Sequence, residues 1–65
     1  MNKFEFNFKP SDILIGPQNT AYVVQDIIIT ENGCHYYSLN KFHNIATYTK
    51  ETDYVDANFR LIWSK

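Results

Sequence analysis

Cys34, His35 and His43 are the residues of this chain that could hold a transition metal, and Cys34 beside a histidine is the pair that could make a nucleophile. Neither arrangement is complete. Adjacent strand residues point to opposite faces, so Cys34 and His35 diverge. The set also lacks further ligands and the spacing of a zinc motif. A nucleophilic cysteine needs a base, an orienting group and an oxyanion hole, and nothing around Cys34 supplies them. Gly16 and Gly33 are the only glycines, which leaves no glycine-rich phosphate loop. Glu51, Asp53 and Asp56 lie close together, but hard cations need more oxygen ligands. The expectation there is a solvated loop in which Asp56 caps backbone N–H groups. No catalytic residue, metal or cofactor is therefore assigned, and the chain reads as non-enzymatic.

The remaining chemistry is recognition. Phe4, Phe6 and Phe8 alternate with Lys3, Glu5, Asn7 and Lys9, so one face of this segment is all Phe. Three such rings either cap a core or form an exposed edge for a partner. Tyr36, Tyr48 and Trp63 are amphipathic aromatics of the kind enriched in binding hot spots. With Phe4, Phe6 and Phe8 they form the expected protein-binding set. Lys41 and Lys50, interleaved with Tyr36, Tyr37, Phe42 and Tyr48, define an alternative: stacking on bases and neutralising phosphates. The basic residues are few, six Lys plus Arg against seven Asp plus Glu, for a net charge of -1. That balance disfavours strong non-specific nucleic-acid binding.

These groups must be positioned by a small frame. Sixty-five residues make one domain, spanning 1–65, with residues 1–9 as an N-terminal strand or arm. A chain this short buries only about 60% of its unfolded surface. Its 45% hydrophobic and 17% aromatic content offsets that shortage with large side chains. A single cysteine excludes an internal disulfide and fits a reducing compartment. The first residues carry no apolar signal region, and no apolar run approaches the ~20 residues of a membrane span. A cytoplasmic location and no membrane partner are expected.

The patterning is that of strands. Tyr22 to Thr30 and His35 to Leu39 flank Asn32-Gly33, the pair that suits a two-residue type I′ hairpin turn. In the first of these, Val23, Ile27 and Ile29 fall on one face and Tyr22, Val24 and Ile28 on the other. Apolar residues on both faces predict a long, bent strand serving two sheets in turn. In the second, His35, Tyr37 and Leu39 share a face. Asp12 to Ile15 predicts a short strand broken by Gly16-Pro17, Asn40 to Asn44 a turn, and Ile45 to Lys50 a strand. Tyr54 to Phe59 is short and mixed, which predicts one 3₁₀ turn before a closing strand at Arg60 to Trp63.

The order of elements resembles SH3-like barrels of the KOW and Tudor-like type. The residues that carry the resemblance are Ser11-Asp12-Ile13-Leu14-Ile15, Tyr22-Val23-Val24-Gln25-Asp26-Ile27, Tyr36-Tyr37-Ser38-Leu39 and Val55-Asp56-Ala57-Asn58-Phe59-Arg60-Leu61. Ser11 departs from the glycine common in such domains. The chain is also similar to short SH3-like proteins of bacteriophages and mobile elements of Gram-positive bacteria. The resemblance implies an all-β, small SH3-like barrel of five to six antiparallel strands with one 3₁₀ turn before the last. It further implies a phage-type accessory protein that binds a host or phage protein and inhibits a host protein or defence system by occlusion. A homodimer, a nucleic-acid-binding module and a structural subunit of a larger assembly are the alternatives.

Overall fold

The computed structural model describes residues 6–42 and 46–65. Its strands are β1 (Ile13–Ile15), β2 (Ala21–Ile29), β3 (His35–Lys41), β4 (Thr47–Glu51) and β5 (Arg60–Trp63). They form one five-stranded sheet in the order β4-β3-β2-β1-β5, and every neighbouring pair is antiparallel. β4 and β5 are its edges, so the sheet is not closed into a barrel. A 3₁₀ turn (Pro17–Asn19) joins β1 to β2, and a short helix, α1 (Thr52–Asn58), joins β4 to β5.

The core explains which residues became strands. Leu14, Val24, Tyr37, Leu39 and Val55 are fully enclosed, with Phe8 and Phe59 beside them. Val24 pairs with Leu39 and Ile27 with Tyr37, yet Val24 and Ile27 are an odd number of residues apart. A bulge between Val24 and Asp26 reconciles the two, leaving Gln25 without a partner across the ladder. The extra residue shifts the alternation by one and bends the strand. Tyr22, Val24 and Ile27 thus all face the core. This corrects the sequence expectation, which put Ile27 opposite Tyr22 and Val24. The bulge is a site of bending, but the strand serves a single sheet.

The hairpin turn also differs from expectation. Gly33 is the only glycine at positive φ (87°), and Asn32 is not left-handed. The Gly33 N–H donates to the Thr30 carbonyl at 3.0 Å, and the Thr30 N–H donates to the Cys34 carbonyl at 2.9 Å. The connection is therefore a three-residue loop, Glu31-Asn32-Gly33, in which glycine takes the left-handed position. A two-residue type I′ turn would have needed Asn32 left-handed as well.

The segment before β5 is a helix of seven residues rather than a 3₁₀ turn. The 3₁₀ turn of this fold lies instead between β1 and β2. Val55 and Phe59 are four residues apart and both buried, the spacing that lays one helical face on the core. The Phe59 N–H closes the helix on the Val55 carbonyl at 2.8 Å. Asp56 is not a cap. It lies within α1, and its carboxyl is bonded by the Asn7 side chain. Loss of water around that carboxyl raises its pKa, Asn7 opposes the shift, and Asp53 adds to it.

Asp12 ties the chain ends to β1. It is buried, and its carboxylate accepts the Lys9 backbone N–H at 3.0 Å, the Lys9 ammonium at 3.1 Å and the Ser64 hydroxyl at 2.9 Å. Lys9 Nζ also meets Ser64 Oγ. Burial alone would raise the Asp12 pKa, but these hydrogen bonds and the Lys9 charge outweigh it and hold it below the usual value. Ser11 has φ 82°, in the left-handed region that glycine adopts more readily.

Candidate functional site

One face of the sheet carries an aromatic pocket. Pairing fixes its floor: Tyr22 lies across from Lys41, Leu39 from Tyr48, and Tyr37 from Lys50. Opposed residues share a face, so Tyr22, Lys41, Tyr48 and Lys50 stand on the side of Leu39 and Tyr37. α1 brings Tyr54, its C-terminal end brings Phe59, and the 3₁₀ turn closes the wall with Pro17 and Gln18. Together with Leu39 they line an open concavity of about 310 Å³.

The rings brace one another. Tyr22 meets Tyr48 at 6.3 Å and 83°, and Phe59 at 5.2 Å and 63°. Tyr54 meets Phe59 at 6.1 Å and 68°. Edge-to-face contacts of this kind add about 0.5–1.5 kcal/mol per pair beyond area burial. Lys41 Nζ sits 5.5 Å from the Tyr48 ring centre and Lys50 Nζ 5.8 Å from that of Tyr54. Among the described residues no carboxylate lines this pocket, although the whole chain carries a net charge of -1. Among the described residues, neither lysine has a carboxylate within salt-bridge distance; the ion pair there is Lys9 with Asp12.

The expected contact residues scatter. Tyr48 is in the pocket, together with both residues of the nucleic-acid alternative, Lys41 and Lys50. Tyr36 is on the other face, across from Ile28 and Glu51. Its hydroxyl pKa is raised, chiefly by Cys34, with which it shares a hydrogen bond. Trp63 is exposed on edge strand β5, across from Ile13. Phe8 is in the core, where its N–H donates to the Tyr37 hydroxyl at 3.2 Å, so it offers a partner little surface. Burial raises the pKa of that hydroxyl, the Phe8 N–H opposes the shift, and Asp56 adds to it. Phe6 packs edge-on against Tyr37 and His35. No strand forms over residues 6–9, and Phe4 and His43 lie outside the described residues.

Cys34 and His35 line a separate concavity of about 200 Å³ with Glu51 and Asp53. Among the described residues no three His, Cys, Asp or Glu side chains converge as a ligand group. No described helix is long and apolar enough to cross a membrane.

Strand alternation places Tyr48 and Lys50 together from sequence alone. Tyr22, Tyr54 and Phe59 were missed as pocket residues. The bulge hides the phase of β2, and Tyr54 acquires a direction only once α1 is known to be a helix. No protein-family model, curated protein or solved structure matches this chain.

Proposed function

We propose that this chain is a non-enzymatic protein-binding module built on an SH3-like, partly open barrel. The order β4-β3-β2-β1-β5, with a short helix before the last strand, supports the SH3-like reading. The observation that carries the binding reading is the pocket: Tyr22, Tyr48, Tyr54 and Phe59 gathered around one concavity on a 65-residue chain. Convergent aromatics in a concave site are what interface hot spots are made of. The module acts by covering the surface of its partner. A phage-type accessory protein that occludes a host protein is the form of this role suggested by chain size and by the resemblance of its patterning.

Affinity capture from host lysate, with and without nuclease, tests the reading. A protein retained by the native chain after nuclease treatment, and lost with Tyr48→Ala, is the expected result. Retention that disappears with nuclease refutes it.

A second reading, a nucleic-acid-binding module, is favoured by one observation: Lys41 and Lys50 both reach the aromatic pocket. Two lysines neutralise about two phosphates, which gives a log–log salt slope of about −1.4 on a single strand. A slope near zero for the captured partner separates the protein reading from this one.

A further inference from the structure

An aromatic pocket ordinarily attracts cations to its ring faces. Here that place is taken, because the Lys41 and Lys50 ammonium groups already lie over Tyr48 and Tyr54. An incoming cation would meet two like charges and, among the described residues, no lining carboxylate. An incoming anion would meet two unneutralised ammonium groups beside an apolar floor. The site thus selects for negative charge next to apolar bulk.

Its shape selects further. The rings stand edge-on to one another, at 63°, 68° and 83°, so these pairs make no parallel slot for a flat base. About 310 Å³ is near the lower end of small-molecule sites, room for side chains rather than a run of nucleotides. The segment leaving the pocket through the end of β4 and α1 carries Glu51, Asp53 and Asp56, which would repel a phosphate backbone. A carboxylate side chain on a peptide brings one negative charge to these lysines, without the run of charges that a phosphate backbone would set against those acids.

We propose that the pocket takes an extended peptide segment in which a carboxylate residue adjoins an apolar or aromatic one. The apolar side chain enters among Tyr22, Tyr48, Tyr54 and Phe59, and the carboxylate is met by the ammonium group of Lys41 or Lys50. This inference rests on the protein-binding reading of the same site.

The test is a peptide array probed with the full chain, followed by fluorescence anisotropy on the retained sequences. In the array Asp or Glu, Asn or Gln, or Lys is placed beside Phe, Trp, Leu or Pro, and labelled dT10 is titrated in parallel. Acid-bearing peptides are expected to bind at least about tenfold tighter than their amide counterparts at about 0.05 M salt, and lysine-bearing ones not at all. The doubly substituted Lys41→Met, Lys50→Met chain, which keeps the apolar stems, is expected to erase that discrimination, so that acid and amide peptides bind alike. Its thermal melt verifies that it is folded. If acid and amide peptides bind alike in the native chain, the charge inference fails and the protein-binding reading stands. If dT10 binds in a lysine-dependent way and no peptide does, or if nothing binds, both fail.

Discussion

Replacing Gly16 by alanine should damage both the fold and the pocket. Gly16 follows β1 and has φ -114° and ψ -161°, an extended conformation open to any residue. Backbone geometry therefore gives no reason for glycine, and by chain entropy alone alanine should stabilise by about 0.4–1 kcal/mol. The obstacle is Phe59. A Cβ at position 16 would lie 2.5 Å from its Cε2, 2.8 Å from Cδ2 and 2.9 Å from Cζ. Carbon atoms pack at about 3.5–4.0 Å, so the gap must open by about 1 Å. The ring cannot yield freely, because it is 8% exposed and held between Tyr22 and Tyr54. Overpacking of this kind costs about 1–3 kcal/mol. Net of the entropy gain, about 1–2 kcal/mol is lost, and a domain of this size moves about 4–8 °C per kcal/mol. Circular dichroism melts should place the Tm of Gly16→Ala about 5–15 °C below that of the native chain. In a Phe59→Leu background the same substitution should cost less, giving a measurable coupling between the two sites. A Tm equal to or above the native value would refute the packing argument. Because Phe59 lines the pocket, the variant should also bind the retained peptides more weakly than its residual folded fraction accounts for.

Ser11→Gly should raise stability by about 0.5–1 kcal/mol in urea titrations, since it relieves the left-handed backbone at φ 82°. Two carboxylates give stability a bent pH profile. The Asp12 pKa is depressed in the fold, so its contribution is present above the unfolded value of about 3.9 and is lost as pH falls through the lower, folded one. The Asp56 pKa is raised, so the fold gains stability as pH falls from that raised value towards about 3.9. Urea midpoints against pH should rise gently on acidification and then drop; Asp56→Asn should flatten the rise and Asp12→Asn the drop. Deleting Gln25 should keep the antiparallel sheet by circular dichroism and abolish peptide binding; a variant that still binds would show that the bulge does not shape the pocket.

The sheet was legible in the chain because its cause is local. Alternation in His35 to Leu39 gives the buried Tyr37 and Leu39 directly, and Gly16-Pro17 and Gly33 mark the breaks. What escaped depends on tertiary partners. Asn32-Gly33 fits two hairpin geometries, and the hydrogen bonds between Thr30 and Cys34 select the longer loop. Tyr54 to Phe59 has weak helix propensity, and α1 exists because Val55 and Phe59 both reach the core. The alternating Phe4, Phe6 and Phe8 leave both a core cap and an exposed edge open, with the core cap the favoured reading. The hydroxyl of Tyr37, which accepts the Phe8 N–H, places Phe8 in the core.

Gln25 links the fold to the site. Remove it in thought, and Val24, Asp26 and Ile27 alternate in, out and in against Leu39, Ser38 and Tyr37, with every pair intact. The residue therefore adds nothing to pairing, and its side chain is exposed. Its effect is the bend. On one side of the bulge β2 presents Tyr22 to the pocket; on the other it presents Ile27 to the region where Phe6 packs on Tyr37. A bulge adds local twist and bend to the strand that carries it, which turns these two stretches relative to each other. The polar residue without a cross-strand partner in β2 thus sits between the stretch of that strand that faces the proposed pocket and the stretch that faces the Phe6 side of the core.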